Sequence, residues 1–213
     1  LPTLPIALKS HYNIYNLSED YPMLQTLTKK TYTFEEYLEY HDNTDLKYEL
    51  VNGELIPMPT PSGLHADIMV FLFKQFDKEI ERLGLDWKVR PGNIGVRTSF
   101  NKSRIPDLVI ITESQRQELR EMTSAVLKSP PLLAVEIVSP GNAIDDYRYK
   151  QSEYAVREIP EYWIVDPVEA KVSVLKLVYG LYDITEFSEN QEIKSSMFPE
   201  LTLTVEQVLN ADN

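Results

Sequence analysis

The run Leu132–Val138 reads L-L-A-V-E-I-V, one carboxylate inside an otherwise apolar segment. It is short and bounded by Pro130-Pro131 and Ser139-Pro140-Gly141, so it predicts a strand buried in a sheet. An ionised carboxylate there loses its hydration, so Glu136 requires a metal ion, a cation or a raised pKa. A second short apolar run, Leu108–Ile111, opens on Pro106-Asp107 and puts another acid at a strand's mouth. Lys150 follows on a helix expected over 145–158, sharing one side with Tyr147, Gln151 and Tyr154. Two acids and a lysine brought together suit a hard divalent cation and an activated water. Each residue also has a plainer reading. Asp107 can simply start a strand, Glu136 can face water from an edge strand, and Lys150 can pair with Asp146 on a helix surface.

The flanking sequence fills in a mixed α/β chain. Thr33 followed by Glu36 is a capping box opening a short helix. Asn52-Gly53 between Tyr48–Val51 and Leu55–Ile56 signals a tight hairpin, with Glu49 and Glu54 expected across the turn. Residues 62–83 carry Ile68, Leu72, Phe76 and Ile80 at helical spacing, stopped by Gly84, with His65 in the first turn. Strands are expected over 85–90 and 95–100, broken by Pro91-Gly92-Asn93, and a helix with a loop over 115–128. Strands 161–166, 171–178 and 181–187 and a closing helix at 204–209 complete the pattern. The strand–helix–strand unit from Leu132 to Val165 predicts a parallel crossover. The fold class expected is therefore α/β, a central mixed sheet with helices on both faces. The domain organisation is an extended, proline-containing arm over 1–28 and one domain over 29–213, a normal length for a single domain.

Composition narrows the partners. The net charge of −12 argues against a generally basic nucleic-acid coat and leaves room for a local basic groove. The chain has no cysteine, which rules out disulfides and thiolate metal sites and is compatible with a cytoplasmic location. No apolar run approaches a membrane span, and no secretory signal is read at the N-terminus.

In order along the chain stand Y-E-L-V-N-G-E-L at 48–55, His65, R-I-P-D at 104–107, V-E-I-V-S-P at 135–140, Lys150 with Tyr154, and E-Y-W-I-V-D-P at 161–167. This pattern resembles the PD-(D/E)XK nuclease superfamily, and more closely its Uma-two-type family of restriction-endonuclease-like proteins. The resemblance covers roughly 33–178. It departs from the superfamily pattern at one place: the lysine normally two residues after the strand acid is replaced by Val138, and Lys150 on the next helix stands as its migrated counterpart.

The resemblance implies a restriction-endonuclease-like core and hydrolysis of DNA phosphodiesters, on double-stranded substrate. It implies Mg²⁺, with Mn²⁺ able to substitute, on Asp107 and Glu136 with the Ile137 backbone carbonyl as a third oxygen. Lys150 would orient the water or stabilise the phosphate oxyanion. Glu49 matches an extra acid carried by many superfamily members, with Glu54 as its fallback. His65, Arg104, Lys102 and Arg97 are the expected contacts to the nucleic-acid backbone. A homodimer is expected because duplex cutters use two sites. Two other classes remain open at this point: a nuclease-fold protein without catalysis that binds DNA or serves as a scaffold, and a hydrolase of small phosphoesters.

Overall fold

The structure is a computed structural model and describes residues 30–211; the arm expected at 1–28 lies outside them. Helix α1 (Phe34–Leu38) starts at the predicted capping box, with Thr33 and Glu36 satisfying each other's backbone N–H. The hairpin β1 (Tyr48–Val51) and β2 (Glu54–Pro57) follows. Asn52 and Gly53 both take positive φ, 52° and 82°, the conformation a two-residue hairpin turn demands. The register differs from expectation: Val51 pairs with Glu54 and Glu49 with Ile56, because a two-residue turn places its own flanking residues opposite each other. Helix α2 (Gly63–Arg82) is capped by Ser62 and buries Ile68, Phe71, Leu72, Phe76 and Ile80.

In place of one central sheet, the strands form two. β3 (Lys88–Pro91) and β4 (Gly95–Ser99), adjacent in sequence, separate at Gly92-Asn93. β4 turns back on β5 (Lys102–Arg104) and pairs parallel with β7 (Val126–Leu127), giving a five-stranded sheet in the order β2-β1-β5-β4-β7. The chain then crosses at Ile105–Asp107, where Pro106 has no N–H with which to continue a ladder. It enters β6 (Leu108–Ile111) of a six-stranded sheet ordered β11-β10-β9-β8-β6-β3. Between β6 and β8 lie helix α3 (Glu113–Arg120) and β7, a short strand where a loop is expected from the sequence.

β8 (Leu133–Ile137) is central in its sheet, antiparallel to β6 and parallel to β9 (Glu161–Asp166). β10 (Lys171–Val178) and β11 (Leu181–Ser188) complete the sheet, and α5 (Val205–Asn210) closes the fold. Between β8 and β9 the chain forms a π-helical turn over Asp145–Lys150 that runs into α4 (Gln151–Val156).

Strand alternation sorts the core into two layers. Leu133, Val135 and Ile137 pack with Leu108, Ile110, α2 and α5 on one face of the large sheet. Ala134 and Val138 pack with Val109, Ile111, Tyr154 of α4 and Val96 of the small sheet on the other. Helices thus cover both faces of the six-stranded sheet. Glu136 points with Ala134 and Val138 into the second layer, where Tyr154 lies, and Asp107 stands just before β6, bonded to the Ile137 N–H. No helix among the described residues is long and apolar enough to cross a membrane.

Candidate active site

Glu136 is 3% exposed, and its strand has a neighbour on each side, so the edge-strand reading does not apply. Its compensation comes from the turn above it. Lys150 Nζ donates to Glu136 Oε2 at 2.8 Å, and the Tyr154 hydroxyl donates to Oε1 at 2.6 Å. Lys150 also lies 2.9 Å from Asp146 Oδ1. Asp146 is itself 3% exposed, so this i,i+4 pair is an interior contact and not a surface one. The geometry at that oxygen falls off the hydrogen-bond direction, and Oδ1 accepts no hydrogen bond. The π-helical turn matters here. Asp146 and Lys150, four residues apart in it, share its inner side, and such turns often occur at functional sites.

The electrostatics follow from burial and like charge. Burial pushes Glu136 well above the usual carboxylate range; Lys150 opposes this, while Asp146, Asp107 and Glu49 reinforce it. Burial also raises Asp146 against the pull of Lys150. For Lys150, burial acts downward, but Glu136, Glu49 and Asp146 outweigh it and hold the ammonium well above its ordinary value. Lys150 is therefore a cation held among acids.

Asp107 sits at the end of β6, beside the end of β8. Its Oδ2 accepts the backbone N–H of Ile137 at 2.7 Å, and its Oδ1 lies 2.9 Å from His65 Nε2. His65 thus reaches from the first turn of α2 onto the acid, and its other ring nitrogen lies 3.5 Å from Ser139 Oγ. The Asp107 carbonyl accepts the N–H of Gly92, which ties the acid's backbone to the loop between β3 and β4.

The other expected cations are not displayed to solvent as free charges. Arg104, expected at a nucleic-acid backbone, is 3% exposed. Its guanidinium grips Glu153 through Nε and Nη2, both at 2.9 Å, and reaches Glu49 at 2.9 Å and Asp145 at 3.2 Å through Nη1. Burial works against its charge, and Glu153, Glu49 and Asp145 more than restore it. Lys102 donates to Glu153 at 3.0 Å. Arg97 bonds the carbonyls of Ser99 and Phe100 and lies over the Phe34 ring at 4.0 Å. Glu49 is buried, its second oxygen taking the Ile105 N–H at 2.9 Å. Glu54 lies in β2 at the hairpin turn.

Sequence reasoning missed Glu153 and the interior role of Asp146. Glu153 stands three residues after Lys150 on the same side of the helix, but nothing local to it marks its partners Thr98, Lys102 and Arg104, which lie on the distant strands β4 and β5. The only sequence signal for Asp146 was its i,i+4 spacing from Lys150, which surface and interior pairs share.

The family model for "Uma2: Putative restriction endonuclease" matches residues 34–206. The chain belongs to the Uma2 family. Among curated proteins none matches. Among solved structures, a "putative nuclease belonging to DUF820" from Anabaena variabilis is similar at 19% identity and TM-score 0.70, over 84% of this chain and 98% of that one. The type IIG restriction endonuclease BpuSI is similar at 16% identity and TM-score 0.36, over 72% of this chain and 16% of that one. The first of these shows a shared fold.

A family of this description raises the question of a divalent metal. The described residues contain no group of three or more His, Asp or Glu side chains placed to hold an ion. A magnesium ion does not need three, since it keeps several waters and takes one or two carboxylates plus substrate oxygens. In this Uma2 protein, Glu136 of β8 and Asp107, just before the neighbouring β6, offer hard oxygen donors. A carboxylate has about four acceptor positions, so the single hydrogen bonds on each oxygen leave room for a further donor or a metal. The donor set fits.

Proposed function

We propose that this Uma2 protein is a Mg²⁺-dependent endonuclease of double-stranded DNA. The observation that supports this best is the buried Glu136–Lys150 ion pair beside Asp107, at the neighbouring ends of β8 and β6. Such a pair is weak evidence for stability, because two buried charges lose much hydration. Its presence in the interior suits a site in which the cation is kept charged for chemistry.

Asp107 and Glu136 would hold the ion. The Ile137 carbonyl is a further oxygen on the side of β8 from which its N–H meets Asp107. When bound, such an ion supplies an acidified water and neutralises charge growing on the phosphate. Mn²⁺ has the same preference for oxygen and would substitute. The protein's own groups do the positioning. His65 and the Ile137 N–H fix the Asp107 carboxylate. The Tyr154 hydroxyl fixes Glu136. Lys150 directs its N–H donors toward the phosphate oxyanion or the attacking water, and Asp146 keeps a second hold on it. Glu49 acts one step away, orienting Arg104, which braces Asp145 of the π-helical turn. We assign phosphate contact to none of Arg104, Lys102 and Arg97: Arg104 is buried among three acids, Lys102 is paired with Glu153, and Arg97 is held on the Ser99 and Phe100 carbonyls.

A two-fold dimer belongs to the same proposal, with β11 as the exposed edge of the large sheet. Light scattering giving a monomer at high micromolar protein would remove that element. The test of the function is nicking of supercoiled plasmid with Mg²⁺ or Mn²⁺. The expected result is metal-dependent conversion to open and linear forms that Asp107→Ala abolishes. Wild-type protein leaving the plasmid intact with both ions would overturn the proposal.

A further inference from the structure

A pocket of about 260 Å³ lies between the residues following α1 and strands β1, β4 and β7. Tyr37, Tyr40 and Tyr48 line it, with Ile105 in its wall and Lys47 and Asn93 at its lip. Three observations distinguish it from an ordinary surface dent. First, its aromatic content is organised. Tyr40 stands edge-to-face with Tyr32 on one side, at 5.4 Å, and with Tyr48 on the other, at 5.5 Å, while the Tyr37 hydroxyl is fixed on the Tyr48 carbonyl at 2.9 Å.

Second, two polar side chains at its edge are open, while the Tyr37, Tyr48 and Ser124 hydroxyls are engaged with the Tyr48 carbonyl, Asp42 and the Leu38 carbonyl. Lys47 is exposed and bonds only the Gly92 carbonyl, at 2.9 Å, with no carboxylate partner among the described residues. This contrasts with Arg104, Lys102 and Lys150, all of which are engaged by acids. Asn93 is exposed, and its side-chain amide makes no hydrogen bond among the described residues.

Third, the pocket adjoins the acids. Ile105 precedes Asp107 by two residues, roughly 7 Å of extended chain. Gly92, whose carbonyl holds Lys47, donates its N–H to the Asp107 carbonyl at 2.7 Å.

We propose that this pocket is a nucleotide subsite, taking one unstacked nucleobase of the DNA strand beside the cleaved phosphate. The base lies against the tyrosine cluster, where stacking is tolerant of sequence. Lys47 neutralises the adjoining phosphate, and the Asn93 amide offers a donor and an acceptor to the base edge, the pairing asparagine makes with adenine. A base inside a regular duplex cannot enter a pocket of this kind. The ligand is therefore a nucleotide that is single-stranded or swung out of a duplex. This inference rests on the nuclease reading for its substrate and on the pocket alone for its location.

The test is fluorescence anisotropy in EDTA, which removes cleavage from the measurement. Three labelled DNAs separate the sources of an unstacked base: a single strand, a duplex with one unpaired base, and a fully paired duplex. Wild-type protein is expected to prefer either or both of the first two over the third. Tyr40→Leu is expected to weaken that binding between about fivefold and a hundredfold, while Tyr40→Phe retains it. Lys47→Ala changes an exposed residue and so leaves the fold intact; it should lower the salt dependence by about one phosphate contact. Asn93→Ala should reduce any preference for adenine. No preference in the wild type for an unpaired base, or unchanged binding in folded Tyr40→Leu and Lys47→Ala, would overturn the subsite. A protein that cleaves DNA while those variants bind normally keeps the nuclease reading and loses the subsite. One that shows ring-dependent binding but never cleaves keeps the subsite and loses the nuclease reading.

Discussion

Replacing Lys150 by methionine removes the cation while keeping most of the side-chain volume. Lys150 is 6% exposed and contacts Glu136 at 2.8 Å and Asp146 at 2.9 Å, both acids being 3% exposed. Removing one partner of a buried pair strands the other charge, at a cost of about 3–5 kcal/mol, against a total stability on the order of 5–15 kcal/mol. The cost depends on pH, and its sign is fixed by the direction of the shifts. Lys150 lowers Glu136 and Asp146, so its loss lifts both acids further above their unfolded values. A folded state that binds protons more tightly than the unfolded one loses stability as pH rises through the interval between the two pKa values. The Lys150→Met deficit should therefore be small near the ordinary carboxylate range and grow toward neutral pH. Urea unfolding of both proteins across that range measures it. Adding Glu136→Gln should recover part of the loss, since the strongest stranded charge is then gone. A deficit below about 1 kcal/mol that does not change with pH is the behaviour of an exposed pair, and would refute the buried-pair reasoning.

Three further outcomes follow from the same geometry. Arg104→Met should cost about 3–5 kcal/mol in urea unfolding, because Glu153, Glu49 and Asp145 lose their shared cation; a loss under about 1 kcal/mol would mean that water already compensates them. Gly53→Ala should cost about 1–2 kcal/mol by thermal unfolding, since φ there is +82°. The added Cβ would also press on Thr31 Cβ and the Tyr32 carbonyl, each at 3.3 Å, and an unchanged midpoint would show that the turn can rearrange. Lys150→Ala should abolish plasmid nicking, and nicking at the wild-type rate would transfer the role of orienting water to another group, with Gln151 the first to test.

The buried acid in Leu132–Val138, the Asn52-Gly53 hairpin, the Thr33 capping box and the α2 stripe were legible because each depends on residues near one another in sequence. The π-helical turn was not, since nothing in the local pattern of Asp145–Lys150 distinguishes it from an ordinary helical turn. The division into two sheets was hidden for a similar reason: β3 and β4 are separated by a brief Gly92-Asn93 break that local patterning reads as an ordinary turn. Arg104 shows the limit most clearly. Beside Pro106-Asp107 it reads as a phosphate contact, yet its partners come from positions 49, 145 and 153, and no local pattern connects them. Glu136, by contrast, announced its need for compensation, Lys150 was legible as the cation to meet it, and Tyr154 as the second donor awaited the structure.

The central claim is that Asp107 and Glu136 are the metal's ligands and that Lys150 is not. Calorimetric titration of Mn²⁺ into folded wild-type, Asp107→Ala and Lys150→Ala protein tests it most directly. The account predicts binding by the wild type, largely preserved affinity in Lys150→Ala and loss of binding in Asp107→Ala. Wild-type affinity in Asp107→Ala would place the metal elsewhere and contradict the account.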